Sequence, residues 1–450
     1  MSFLKTFFNF RFINNSMYLK IAFILWSLIH SITLGQYITS YISPLLIVWG
    51  GLIVIKNIFI DKPRFDKKYY LLIVMFIFSY IITIFINRNM NFWGNLKTLI
   101  WTSILMLGLF INDFKKSIED IFNEISKIGL VIITISLIIS LISIWMFFFD
   151  INFLINRIDG TKIPQGYYAA RLWGIYVDPN QSCNVAIISI ALSLVLLLLK
   201  INRFVLIFNI VVQFELIVLS GSRGGEIGLI FFLIGLFYLF FEEKINKIYQ
   251  NKIVIRNLSL IFAVICSILI IMTFKINRKI LSYVPSTVQS SIEGTVSQKI
   301  IVERPDKKTS NGRIELWIDA LNLSKQIPIF GVGDRNIMIV ADEKLPGSSI
   351  SHQYVHNGYL HMLLGGGIVG FTIMMALILL IVIRTSSKIF NKRVFNKEYI
   401  ILGIIASMIG AMLVTTVFLT EVFYQNSFTA IIIWIFMGYT IYLNENVSIK

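Results

Sequence analysis

The chain reads as an all-α polytopic membrane protein, one membrane domain over residues 1–450 with about twelve transmembrane helices. Three observations predict this. Hydrophobic residues make up 56% of the 450 and charged residues only 14%, against about 25% charged in soluble domains. The mean hydropathy is +0.79. Apolar runs long enough to cross a bilayer fill most of the sequence, and basic residues collect in alternate gaps between them.

The runs lie at about 18–35, 37–55, 69–86, 96–111, 128–149, 182–199, 203–220, 225–241, 255–274, 358–383, 400–419 and 424–443. Only Gly35-Gln36-Tyr37 separates the first two, and only Thr420-Glu421-Val422-Phe423 the last two. The N-terminal stretch MSFLKTFFNFRF has no small-residue cleavage site and reads as an amphipathic lead-in, not a removed signal peptide. Cys183 and Cys266 sit at or inside apolar runs, so no disulfide and no cysteine metal site is expected.

The net charge is +16. In a soluble protein that would point to nucleic acid. Here topology accounts for it: with the N-terminus inside, 23 of the 40 basic residues fall in inside segments and six in short outside loops. Lys5, Arg11, Arg64, Lys392, Arg393 and Lys450 are among the inside set. The remainder lie in one long outside loop, which is exempt from the positive-inside rule. Both termini are therefore expected to be cytoplasmic, and no nucleic-acid partner is expected.

Two outside loops are large, Asp150 to Gln181 and a second over residues 275–356 between spans nine and ten. Loops of that length are usually functional. The second holds a helix signal: Ser310-Asn311-Gly312 precede Arg313, and Ile314, Trp317, Ile318 and Leu321 share one face. Pro328 ends it and Gly331 and Gly333 turn the chain. The expectation is a short amphipathic helix on the membrane-domain surface with that face buried.

The residues able to do chemistry lie in these outside loops. Ser220-Gly221-Ser222-Arg223-Gly224-Gly225 is a tight turn whose glycines allow backbone N–H groups to approach an anion, beside a helix N-terminus and a guanidinium fork. A plain turn with a snorkelling arginine is the alternative. Asp178-Pro179 makes an N-cap and N1 pair for span six; Arg171, upstream, can hold a phosphate or pair with Asp178. Arg313 opens a helix, where its charge opposes the dipole, so an anionic partner would make sense of it. His356-Asn357-Gly358 enters span ten, and histidine is the commonest general base near neutral pH. His30 reads as structural. His352, His356 and His361 cluster, but without an acid at ligand spacing no metal is assigned to them.

Gly365-Gly366-Gly367-Ile-Val-Gly370 fits G-x-G-x-x-G but lies inside a span with no preceding strand, so close helix packing is the reading for it. Glu215 is an intramembrane acid below the Arg223 turn, either functional or a buried partner for an arginine.

Together these pieces resemble the O-antigen polymerase and O-antigen ligase family of bacterial membrane glycosyltransferases. The resemblance rests on Ser-Arg-Gly-Gly at 222–225, Gly-Arg…Trp…Ala-Leu at 312–321, Ile-Phe-Gly-Val-Gly at 329–333 and His-Asn-Gly-Tyr-Leu with Gly-Gly-Gly-Ile-Val-Gly at 356–370. Arg171 with Asp178-Pro179-Asn180 looks like the family's preceding loop, and the similarity covers about 165–385. It implies a C-type glycosyltransferase-like architecture with a large extracytoplasmic loop over the site. It implies transfer, with inversion and without metal or other cofactor, of a glycan carried on undecaprenyl diphosphate. Carried over, Arg223 and Arg313 bind the diphosphate with Arg171 as a third cation, His356 is the general base, and Glu215, Asn357 and Gly224 support them. The implied partners are the lipid-linked donor, a glycan or lipid A core acceptor, the lipid bilayer and, optionally, a chain-length regulator. The implied place is the bacterial inner membrane, with the site facing the periplasm or exterior. A polymerase that joins repeat units is the reading preferred, a ligase to lipid A core the alternative. A lipid-oligosaccharide flippase is the rival from another class, disfavoured because only Glu215 and His30 are candidate midplane groups and neither lies in a broken helix pair.

Overall fold

The structure, a computed structural model, describes residues 15–62, 65–157, 160–249, 251–293, 312–391 and 396–446. The N-terminal lead-in, Ser310-Asn311 and the basic residues Lys5, Arg11, Arg64, Lys392, Arg393 and Lys450 lie outside the described residues.

Every predicted apolar run is helical. In chain order the helices are α1 (Ser16–His30), α2 (Gly35–Lys56), α3 (Lys67–Ile86), α4 (Phe92–Ser103), α5 (Ile118–Phe148), α6 (Pro179–Leu198), α7 (Arg203–Ser220), α8 (Arg223–Ile245), α9 (Lys252–Glu293), α10 (Arg313–Ser324), α11 (Ile337–Lys344), α12 (Gly358–Asn391), α13 (Lys397–Thr415) and α14 (Phe428–Asn446). Among the described residues ten are long and apolar enough to span a membrane. Of the twelve predicted runs, the two that fall short are α1, with 15 residues, and α4, which continues as a π-helical turn over Ile104–Leu109.

α14 and α6 are buried almost all round, as helices apolar on every face should be at the centre of a bundle. α2 and α9 expose much of their apolar surface at the periphery. At the end remote from the sheet that follows α5, Lys20 of α1 is fully buried and donates to Asn112 Oδ1 at 2.6 Å and Tyr439 OH at 3.2 Å. Glu124 answers it, receiving Lys116 at 2.5 Å and Tyr439 at 3.0 Å. Charges this deep persist only when paired and hydrogen-bonded, and here they join α1, α5 and α14.

The first of the two long loops, after α5, folds as a sheet that the sequence reading did not include. Strands β1 (Phe153–Asn156), β2 (Lys162–Tyr168) and β3 (Arg171–Gly174) form an antiparallel meander. The β2–β3 turn is Ala169-Ala170, both at positive φ, 50° and 59°. Such turns ordinarily carry Asn-Gly or Asp-Gly, so the sequence holds no hairpin signal here.

The second loop departs from expectation in two ways. α10 forms where predicted, but its buried face is Leu316, Ala320 and Leu323, packed with Val332, Ile337, Val340, Ile350, Val355 and Leu364. Ile314, Ile318 and Leu321 are exposed and Trp317 is half-buried. Two apolar stripes run along this helix, and the loop's own small core takes the second. The glycine run also acts differently. Gly367 leaves helical conformation (φ 64°, ψ −174°) and breaks α12. The segment Ile329–Gly333 enters the break: Val332 N and Gly333 N donate to Leu364 O and Gly365 O at 3.0 and 2.9 Å, and Val369 N donates to Ile329 O at 3.3 Å. A β-carbon on Gly331 would lie 2.3 Å from Gly367 N, and one on Gly367 2.1 Å from Ile329 O. Two backbones in contact leave no room for a side chain, so Gly331 and Gly367 serve loop-to-helix docking, while Gly370 of the same run faces Ser79 and Phe76 of α3, the helix packing expected of it.

Candidate functional site

The α7–α8 turn is where the site begins. Gly221 is left-handed and ends α7. Ser222 caps α8, its Oγ accepting from Gly225 N at 3.1 Å. Gly224 packs toward Phe418 and Gly225 lies tight against Cys183. One of the turn's N–H groups is thus engaged by the cap and both glycines are buried, so close packing, more than an open anion nest, explains them. Arg223, the first residue of α8, is exposed.

Arg171 ties the sheet to this turn. Its Nε donates to Ser220 O at 3.0 Å and a terminal nitrogen donates to Asn180 Oδ1 at 2.8 Å. Ser222 Oγ donates to the same Asn180 oxygen at 2.8 Å. Asn180 Nδ2 donates to Asp178 Oδ1 at 2.9 Å. Asp178 caps α6 as predicted, with Pro179 at N1. A single polar chain therefore runs from β3 through the turn to the start of α6.

His356 and Arg313 come to this same place from the second loop. His356 adopts φ 50°, an uncommon conformation for a non-glycine residue. Asn357 follows as the cap of α12, its Oδ1 accepting from Tyr359 N and Leu360 N at 3.0 and 3.1 Å. Gly358 N donates to Thr416 O at 2.8 Å, fixing the turn to the end of α13. Burial, and next the positive charge of Arg313, hold the His356 imidazole below its ordinary pKa; Asp178 opposes them. The three groups thus share one electrostatic neighbourhood. The Arg313 guanidinium lies 5.9 Å from the ring centre of Phe418, whose Cβ also faces Gly224. Phe418 is thereby a wall shared by Arg313 and the Gly224 position of the α7–α8 turn.

Sequence reading did not single out Glu421, in the α13–α14 connection. It accepts from Thr429 Oγ1 at 2.9 Å and Asn184 Nδ2 at 3.1 Å. Burial first, then the negative charge of Asp178, push its carboxyl up to about 7. Asp178 thus acts on both Glu421 and His356. The sequence shows only a short polar break at 420–423, and nothing there signals proximity to Asp178.

Glu215 lies further along α7, half-buried, with Oε2 buried and without a hydrogen-bond partner among the described residues. His30 packs on Trp26 at 5.0 Å and meets Thr39 Oγ1 at 2.8 Å. His352 is exposed. His361 is buried, its Nε2 2.6 Å from Asp334 Oδ1; the acid at its side comes from a distant part of the loop. Among the described residues no group of three His, Cys, Asp or Glu is gathered as a metal site.

A multi-pass helical bundle with arginines and a histidine gathered at one end defines the class, a polytopic membrane protein with a polar site at a membrane face. Residues 208–375 match the family model described as O-antigen ligase. Arg223, Arg313 and His356 fall inside the matched segment; Arg171, Asp178 and Glu421 fall outside it. An uncharacterized protein of Haemophilus influenzae is 30% identical over 196 residues, 42% of this chain. The match covers 44% of that relative's length.

Proposed function

We propose that this protein is a membrane glycosyltransferase that joins oligosaccharide repeat units carried on undecaprenyl diphosphate into a surface polysaccharide. The observation that carries the reading is the convergence of Arg313, Asp178 and His356, with the imidazole kept neutral by burial and by Arg313. A neutral imidazole is the form that accepts a proton.

In this reading an acceptor hydroxyl loses its proton to His356 as its oxygen attacks the anomeric carbon from the face opposite the leaving group. The new glycosidic C–O bond forms with inversion while the bond to diphosphate breaks. The electron pair leaves on undecaprenyl diphosphate, already a stable anion, so no metal and no acid is required for its expulsion. Arg223 and Arg313 stabilise the charge that builds there, an effect largest at a partly dry site. Arg171 has two of its nitrogens engaged with Ser220 O and Asn180 and acts first as the tether of the α7–α8 turn. Loop charge supports cytoplasmic termini and a site on the periplasmic or exterior face of the bacterial inner membrane.

The name of the matched family, O-antigen ligase, favours a second reading, transfer of the finished glycan to lipid A core. The surface glycan of a gene-deletion strain separates the two on a gel. Core bearing a single repeat with the ladder lost supports the polymerase. Bare core with long glycan accumulating on the lipid carrier supports the ligase. An unchanged ladder overturns both.

A further inference from the structure

Next to His356 in sequence, Val355 lines a polar cleft that the reaction as described does not use. Its volume is about 70 Å³, and it is lined by Asp334, Arg335, Gln353, Tyr354, Val355 and His361, among others. With roughly 10–15 Å³ of such space needed for each water molecule, it has room for a few waters and so for the hydroxyl-bearing edge of a sugar.

The floor is built. Asp334 is buried, and its carboxylate receives Thr98 Oγ1 at 3.1 Å and Arg335 Nε at 3.0 Å, with His361 Nε2 at 2.6 Å. Its backbone N donates to Tyr80 OH at 3.1 Å. His361 is 1% exposed, yet its Nδ1 has no hydrogen-bond partner among the described residues. With Nε2 engaged by Asp334, Nδ1 is the ring nitrogen left to hydrogen-bond whatever enters the cleft. The rim is of the opposite kind. Arg335 and Gln353 are exposed donors, and the Tyr354 ring is 51% exposed and 6.4 Å from the His361 ring.

A buried imidazole nitrogen, a carboxylate floor, two donors and an aromatic face suit a neutral ligand that both gives and takes hydrogen bonds. They do not suit a diphosphate, which the carboxylate would repel. Val355, in the wall of this cleft, immediately precedes His356, whose left-handed backbone turns the chain between the cleft and Arg313. We propose that this cleft is the subsite for the acceptor sugar, with Tyr354 under the ring and Arg335, Gln353 and His361 on its hydroxyls. The acceptor role rests on the glycosyltransferase reading; the sugar-binding role does not.

The test uses full-length purified protein and one probe, the repeat-unit oligosaccharide released by mild acid from the host's lipid-linked glycan, free of lipid and diphosphate. Saturation-transfer NMR should detect it on the wild type and on the Arg223→Ala/Arg313→Ala double variant. Tyr354→Ala and Arg335→Ala should each weaken it about tenfold, the effect of losing one charged hydrogen bond or one ring contact, while Tyr354→Phe retains it. No binding to the wild type, unchanged binding to Tyr354→Ala and Arg335→Ala, or loss in the double arginine variant each overturns the subsite. In turnover, Tyr354→Ala should raise KM for acceptor and leave KM for donor unchanged; an equal rise in both overturns the acceptor role. Full turnover in His356→Ala would sink the reaction reading while leaving the binding result intact.

Discussion

Arg171 holds Asn180 Oδ1 at 2.8 Å, and Ser222 reaches the same oxygen at the same distance. One amide thus registers the sheet against the turn that presents Arg223. Arg171→Lys has a single ammonium in place of a planar fork and cannot keep both the Ser220 and the Asn180 bonds. Loss of one charged hydrogen bond is worth about 1.5–3 kcal/mol. A roughly tenfold to hundredfold fall in turnover is expected, with the variant still extracted as a folded membrane protein.

Arg223→Ala and Arg313→Ala should each abolish polymer formation without preventing insertion. Removing one preorganised charge at an oxyanion-type site costs about a hundredfold to a thousandfold in kcat. Arg→Lys at either position should recover only part of the activity. Full activity of either alanine variant in a complementation assay would remove that residue from the site.

The acid limb of the rate profile follows from His356. Burial and Arg313 lower its pKa and Asp178 raises it. Asp178→Asn keeps an N-cap side chain but removes the negative charge that favours imidazolium. The histidine then stays neutral to lower pH, and the acid limb should move down. Burial and the same Asp178 push the Glu421 carboxyl up to about 7, so Glu421→Gln is the control: the limb should persist there if His356 is its source. A limb that moves up in Asp178→Asn contradicts the assignment.

Gly367→Ala should be far more damaging than an equivalent change elsewhere. It combines φ 64° with a contact at 2.1 Å to Ile329 O. Gly347 has φ 77° and open space around it, so Gly347→Ala reports the backbone cost alone, about 1–2 kcal/mol. The thermal midpoint should fall much further for Gly367→Ala, with activity lost as the loop detaches from α12. Equal midpoints would mean that the docking contributes nothing.

Asn357→Ala removes the α12 cap, a cost of about 1 kcal/mol. The thermal shift should be modest. Turnover should fall more than stability, because the cap sets the turn that carries His356; a fall in stability alone would make Asn357 a purely structural residue.

What the sequence made legible was what depends on runs and on local chemistry. Apolar length located the helices, and Asp178-Pro179 fixed the start of α6 because a cap is written in adjacent residues. The Asp178 neighbourhood of Glu421, the Asp334–His361 contact and the wall formed by Phe418 were not legible. Each joins residues from separate elements and has no spacing signature. α10 was placed correctly and its buried face misjudged, because Ile314, Ile318 and Leu321 compete with Leu316, Ala320 and Leu323 for the inward side and only the partner surface decides. The sheet was missed because Ala169-Ala170 turns without turn residues.

The docking of Ile329–Gly333 into broken α12 has a consequence for engineering. The loop is spliced into α12 near its start, so it is not a detachable module. Grafting a loop from a relative onto this scaffold requires the receiving helix to travel with it. Exchange of residues 312–357 alone should yield a misassembled chain; exchange carried through Gly370 keeps donor and socket matched.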